Sequence, residues 1–364
     1  MIRTLSPYWV ETPFVSPASS ITTPSYTLQL FIWDGLKASP PASPQYEITK
    51  VNYESSTGNG RIDISKMVND YIDFSVPDFD YTPSSAVEFY DSPNNVWVKW
   101  QILYNTGDGS DASAQLATTK LATKGWAYGF EGENADNVKT VDYAEMKTVN
   151  GGFAIIPVYR DEVSSSTFNV VSYPSNSIST YSLSATTDSS ELVTYALIDT
   201  TIGDDDYFEV KRGSTTLAIL HPVNECKFTP YVVLFQNRYG CIEQIVFFKE
   251  RTDNLNITRE SYETASGQPK DGVHQFKTYN VKGSRAISLS TGFMYESNND
   301  KIEQLLLSER IWLYEPSNPL TKAVNVETPV NIKDTSTQLK TRLNDKLINY
   351  TVEFEYAFNL INNI

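Results

Sequence analysis

Apolar and polar residues alternate along much of this chain, at the period of two that marks a half-buried strand. Tyr26, Leu28, Leu30 and Ile32 share one side of such a run, with Thr27, Gln29, Phe31 and Trp33 on the other. Asp34-Gly35 and Pro40-Pro41 end it, as turn residues do. The same reading predicts strands over 45–51, 96–104 and 116–130. It continues with shorter ones over 152–159, 167–173, 192–199, 207–211 and 216–220, separated by turns such as Pro174-Ser175-Asn176 and Arg212-Gly213-Ser214. A hairpin is expected from 228–235 and 242–249, turning near Arg238-Tyr239-Gly240. After a Gly/Pro-containing loop over 266–272 come strands over 281–294, 311–314 and 324–332. The chain closes on Ile348, Tyr350, Val352, Phe354, Tyr356 and Phe358, which alternate with Asn349, Thr351, Glu353, Glu355 and Ala357. That is a long strand with one aromatic face, expected to be a central or interface strand.

The period changes in two places. Ile64, Met67, Val68, Tyr71 and Ile72 recur at helical spacing, which predicts a short helix within 62–74 with Asp63 or Ser65 as N-cap. Ile302, Leu305 and Leu306 predict a second helix near 298–310, opened by Ser297-Asn298-Asn299-Asp300 in the manner of a capping box.

Composition agrees with strands. Twenty-three Tyr, 17 Phe and 6 Trp make 13% of the 364 residues aromatic, and aromatic side chains suit a pleated, half-buried surface. The length is too great for one ordinary β-sandwich of about 100 residues. The expected fold is mainly β, with tandem antiparallel β-sandwich or barrel domains and one or two short helices. The expected domains are an N-terminal sandwich with an extended arm at 1–135, a second sandwich with immunoglobulin- or fibronectin-like strand spacing at 136–225, and a β-rich domain at 226–364.

Charge narrows the partners. The net charge is −15, and without clustered Lys and Arg a nucleic-acid partner is not expected. No apolar run approaches the roughly 20 residues of a membrane-spanning helix, and no signal-peptide pattern opens the chain, so a soluble protein is expected. Cys226 and Cys241 are expected to be free, buried thiols, because the hairpin between them separates them beyond disulfide reach.

Catalytic signatures are absent. His221 and His274 are the only two histidines, and neither accompanies a nucleophile elbow, phosphate loop or dinucleotide fingerprint. No catalytic residue, cofactor or metal is assigned. The acidic turns 204–206 and 105–111 could offer oxygen ligands to calcium, but Asp and Gly are ordinary turn residues. Carboxylates two apart, at Asp78/Asp80, Glu131/Glu133 and Glu353/Glu355, would share a strand face and could serve a glycosidase. Trp97, Trp100 and Trp126 could form a sugar platform or fill a core.

Several stretches together carry a resemblance. They are Arg3-Thr4-Leu5-Ser6-Pro7-Tyr8, LQLFIWDG at 28–35, RIDISKMVNDYIDF at 61–74, VLFQNRYGCIEQIVFFK at 233–249, LLLSERIWLY at 305–314 and the closing LINYTVEFEYAFNLINNI. The pattern resembles virion structural proteins of tailed phages that infect Bacteroidetes. The resemblance implies a tail-associated or baseplate component, assembled in the host cytoplasm and resident in the virion. It implies repeated copies around an axis as a homo-oligomeric ring, with other tail or baseplate proteins as partners and no catalytic residues to transfer. The candidate interface residues are Pro7, Tyr8 and Trp9 in the proline-punctuated N-terminal arm, and Tyr350, Phe354, Tyr356 and Phe358 in the closing strand. Either segment could add to a neighbour's sheet edge. Two other readings remain: a carbohydrate-binding or adhesin module that meets a host glycan at a tail fibre or tip, and a β-rich glycoside hydrolase.

Overall fold

The alternating face at 26–32 becomes the spine of the first of two compact units. This unit comprises Met1–Ala144, Asn150–Pro222 and Gln236–Glu243; the second comprises Glu145–Val149, Val223–Phe235 and Gln244–Ile364. The computed structural model describes residues 1–12, 25–51, 60–82, 85–105, 111–116, 118–135, 138–160, 167–183, 193–203, 205–225, 227–264, 272–317, 324–333 and 347–360. Cys226, Asp204, the 106–110 turn, most of the 266–272 loop and the prolines at 13, 17 and 24 lie outside these residues.

In the first unit Ser25–Trp33 lies between Asn95–Asn105 and Tyr46–Val51, all antiparallel. Its inward face, Leu28, Leu30 and Ile32, is fully buried with Val98 and Ile102. Lys120–Thr123 and then Ile2–Arg3 extend this sheet, the last pair parallel, and Asp111–Leu116 pairs alongside Asn95–Asn105. The helical spacing at 62–74 yields the single helix Ser65–Tyr71, whose Ile64, Val68 and Ile72 seal the same core. Neither Asp63 nor Ser65 caps it; Ile64 holds the N-cap position, with no side-chain cap bond. Asp63 instead accepts hydrogen bonds from the Ser65 N–H (2.9 Å) and the Tyr8 N–H (3.1 Å). One carboxylate thereby ties the helix entry to the paired strands Trp9–Thr12 and Gly60–Asp63.

The strand expected over 116–130 stops early. A Cβ at Gly125 would lie 2.6 Å from the Arg238 carbonyl oxygen. The chain there passes against the Arg238-Tyr239-Gly240 turn, and the Trp126 N–H donates to that carbonyl at 2.8 Å.

Two units stand where three domains are expected. The reason is Val87–Asp91, a strand from the expected first domain. It pairs with Val193–Asp199, which in turn pairs with Phe153–Tyr159, both from the expected second. That ladder crosses the expected boundary at residue 135, and Met1–Ala144 and Asn150–Pro222 fall in one unit. Beside it Thr167–Tyr173 lies between Ser177–Ser182 and Tyr207–Arg212, and the latter pairs on with Thr215–Val223. The expected boundary at 225 falls close to the Pro222/Val223 division.

The second unit is built on a seven-stranded sheet in the order Ile242–Phe247, Tyr231–Gln236, Ile311–Ser317, Val324–Ile332, Leu347–Tyr356, Phe276–Tyr295, Arg251–Glu263. The hairpin tip, Gln236–Glu243, belongs to the first unit. There Cys241 is buried and free, and its carbonyl accepts from the Asn237 N–H at 2.8 Å. Helix Asn299–Leu306 presses Ile302 and Leu305 into a core with Val233, Phe247, Ile287, Leu289, Val352 and Phe354. Its expected capping box does not form; Asn298 instead donates Nδ2 to the Glu145 carbonyl at 2.9 Å.

Candidate assembly surface

The closing strand is central, as its aromatic face suggests, but its aromatics serve this chain's own core. Leu347–Tyr356 lies between Val324–Ile332 and Phe276–Tyr295. Tyr350, Phe354 and Tyr356 are buried, so they cannot meet a neighbour. Of the other candidate interface residues Tyr8 is buried as well, under Trp100, its ring centroid 6.0 Å away. Pro7 and Phe358 are exposed and Trp9 is half-buried. The described part of the N-terminal segment is knitted into its own unit through Ile2–Arg3 and Trp9–Thr12.

A set of exposed apolar residues lies instead on a hairpin of which the sequence reading predicts only the strand over 281–294. Arg251–Glu263 and Phe276–Tyr295 form a long antiparallel hairpin. Its base is in the sheet: residues 286–295 pair on their other side with Leu347–Tyr356. Beyond Ala286 no third strand pairs with it among the described residues; the Leu360 N–H donates to the Gly283 carbonyl at 3.1 Å near the root, and the ribbon of 255–263 and 276–285 forms an arm of roughly 30 Å at 3.3 Å per residue. Leu255 and Ile257 oppose Arg285 and Gly283, continuing outward the face that carries buried Ile287 and Leu289. They are 58% and 47% exposed, and Phe276 near the tip is 63% exposed. Tyr262 and Tyr279, both about half exposed, meet edge to face at 5.7 Å. An extra residue at 280–281 bulges one strand, with Asn280 at φ 47°, and bulges sharpen the local twist. Cross-strand bonds hold the ribbon, including Gln275 Nε2 to Glu263 (2.7 Å) and Asn280 Nδ2 to Glu260 (3.1 Å).

The arm is fixed at its root by buried charge. Arg251 grips Asp253 through two hydrogen bonds, Nε and Nη2 at 2.9 and 2.8 Å, and donates to the Tyr231 hydroxyl at 2.6 Å. Its Nη1 lies 3.7 Å from Glu315, whose side chain is 1% exposed. Glu315 also accepts from the Tyr356 hydroxyl (3.1 Å) and the Thr328 hydroxyl (3.4 Å). Burial pushes the Glu315 carboxyl above the usual carboxylate range, against the pull of Tyr356 and Arg251. Burial raises the Tyr356 phenol too, with the Glu315 charge adding to it. For Arg251 burial opposes the charge, but the bonds to Asp253 and Tyr231 outweigh it and hold the guanidinium protonated.

The remaining sequence candidates are placed as follows. Trp97 and Trp100 are core residues, and Trp126 is half-buried against Tyr128. Glu131 is bound by Arg3 and Arg238 while Glu133 is bound by Arg61, so this carboxylate pair is divided between separate cations. Glu353 is bound by Lys333. Asp80 accepts from the Thr82 N–H and hydroxyl, and Asp205 turns both oxygens onto Ser175. Ring contact with Tyr207 holds His221. Among the described residues no group of three or more His, Cys, Asp or Glu is arranged to hold a metal, and no helix is long and apolar enough to cross a membrane.

Fold and site together define a mainly antiparallel β protein of two units, the second bearing a β-arm with exposed apolar residues. No protein-family model, no curated protein and no solved structure matches the chain.

Proposed function

We propose that the chain is a non-catalytic structural subunit whose arm docks on a second copy of itself to build a closed oligomer. The observation that carries this reading is the exposure of Leu255, Ile257, Tyr262, Phe276 and Tyr279 on a ribbon with no third strand. A two-stranded ribbon is marginal alone in water, and it carries exposed apolar side chains on both faces, Leu255, Ile257 and Phe276 on one and Tyr262 and Tyr279 on the other, as an interaction site would. Its outer strand, Arg251–Glu263, ends the sheet, and a long free edge invites strand addition. Charge selects the occupant. Over 255–263 and 276–285 the cations Arg259, Lys277, Lys282 and Arg285 face only Glu260 and Glu263, a surplus of two positive charges on a chain of net −15. A basic arm on an acidic chain is complementary to another copy. The setting proposed is the tail or baseplate of a tailed-phage virion, which rests on the sequence resemblance.

Light scattering across a concentration series tests the reading, on the wild type and on a Leu255→Lys/Ile257→Lys/Phe276→Lys variant. A discrete wild-type oligomer that the variant reduces to monomer, with an unchanged melting transition, is the expected result. A wild type that stays monomeric, or an oligomer indifferent to the three substitutions, overturns it.

A further inference from the structure

The first unit contains an open cleft of about 630 Å³ walled by three stretches of chain. These are 138–143, the end of Phe153–Tyr159 and the tight turn joining Tyr207–Arg212 to Thr215–Val223. Its volume is in the range of small-molecule sites. Its lining is one-sided in charge: Lys139 and Arg212 contribute cations, and among the described residues no carboxylate lines it. That is unexpected in a chain of net −15.

The nearby carboxylates are already committed. Asp142 is bound by Lys139 at 2.5 Å, by Arg238 and by the Tyr239 hydroxyl, so Lys139 has a carboxylate partner. Glu209 is bound by Lys211 at 2.7 Å and by the Thr216 and Tyr173 hydroxyls. Arg212 is different. Its guanidinium carbon lies 5.9 Å from the centroid of the Tyr159 ring, and its Nε is enclosed without an acceptor. It makes no ion pair with any carboxylate among the described residues. The cleft therefore presents, in Arg212, a positive charge with no carboxylate partner among the described residues, flanked by two phenol rings, Tyr159 and Tyr143, and by the hydroxyls of Ser214 and Thr215.

We infer that this cleft binds a hydroxyl-rich monocarboxylate of sugar size, a uronic acid or its like. A carboxylate matches the single free charge and the planar donor fork of Arg212. The hydroxyls complement a polyol, and an aromatic wall suits the apolar face of a sugar ring. This site does not depend on the arm or on assembly.

Titration calorimetry and saturation-transfer NMR on the full chain test it, with glucuronate, glucose and inorganic phosphate as probes. Glucuronate is expected to bind at least about tenfold more tightly than glucose, the size of one charge-assisted hydrogen bond. Arg212→Gln should lose about that factor for glucuronate while leaving the melting transition in place. Tyr143→Ala, at an exposed wall residue, should weaken glucuronate independently should Arg212→Gln not fold. Equal binding of glucose and glucuronate, no glucuronate binding, preferential phosphate binding, or glucuronate binding unaffected by both variants each overturns the assignment.

Discussion

Phe276–Tyr295 is one strand with two lives. From Ala286 onward it has a partner on each side, and Ala286, Ile287 and Leu289 are completely buried. Before Ala286 it keeps the same strand partner on one side, with a lone hydrogen bond from the Leu360 N–H to the Gly283 carbonyl on the other, and Phe276 and Tyr279 stand in solvent. The backbone ladder is continuous through both halves apart from the bulge at 280–281. What differs is the third strand and the core beneath it. Hydrogen bonding is thus common to both halves, and burial separates the half that stabilises the fold from the half left free to bind.

The comparison breaks first at its buried end. Ile287→Ala leaves a cavity among Leu289, Ile302 and Phe354. It should cost about 3 kcal/mol, as large-to-small core changes do, read as a lower urea midpoint with an unchanged slope. Arg251→Ala comes next. It strands Glu315, which is 1% exposed, while Arg251 itself is 18% exposed. Removing one partner of a buried pair is costly, but partial solvation reduces the loss to about 2 kcal/mol. Chemical denaturation followed by fluorescence should show it, together with faster proteolysis at the root of the arm.

A smaller effect is in pH. The folded Glu315 carboxyl titrates above its ordinary value of 4.5. As pH rises past 4.5 the unfolded chain loses this proton first, while the folded chain holds it. Glu315 therefore subtracts stability as pH rises, up to its raised folded pKa. Glu315→Gln keeps an acceptor for the Tyr356 hydroxyl and removes the titration. Its stability profile should be flatter than wild type over that window, with the difference growing toward higher pH. Parallel profiles would show that burial does not raise the Glu315 carboxyl in the folded chain.

How much of this was legible depends on whether a residue faces a core. The strands with a clean period, such as Ser25–Trp33, Thr167–Tyr173 and Val324–Ile332, were readable because one face of each meets apolar neighbours. The closing strand was readable as central for the same reason. Its aromatics could not be assigned between core and interface, since burial against self and against a partner leaves the same pattern. Ser177–Ser182 and Arg251–Glu263 escaped because nothing buries them: SISTYS and RTDNLNITRESYE carry no periodic apolar face. The arm is thus least visible in sequence for the reason that makes it a candidate interface. The Arg251–Glu315 pair escaped too, since spacing along the chain does not report ion pairs between strands distant in sequence.

The smallest effect on folding should come from the free end. Leu255→Lys or Ile257→Lys removes an apolar side chain already about half in water. Surface changes of this kind usually stay within about 0.5 kcal/mol. Their positions face Arg285 and Gly283 across the ribbon, so a Lys at 255 also adds some like-charge repulsion to the arm. If the apolar side chains of the arm act only between copies, monomer stability will hardly move while association is lost. If instead Leu255 and Ile257 extend the core, either change will lower the urea midpoint as Ile287→Ala does. The two ends of one continuous face would then share a role, and the division at Ala286 would be one of exposure alone.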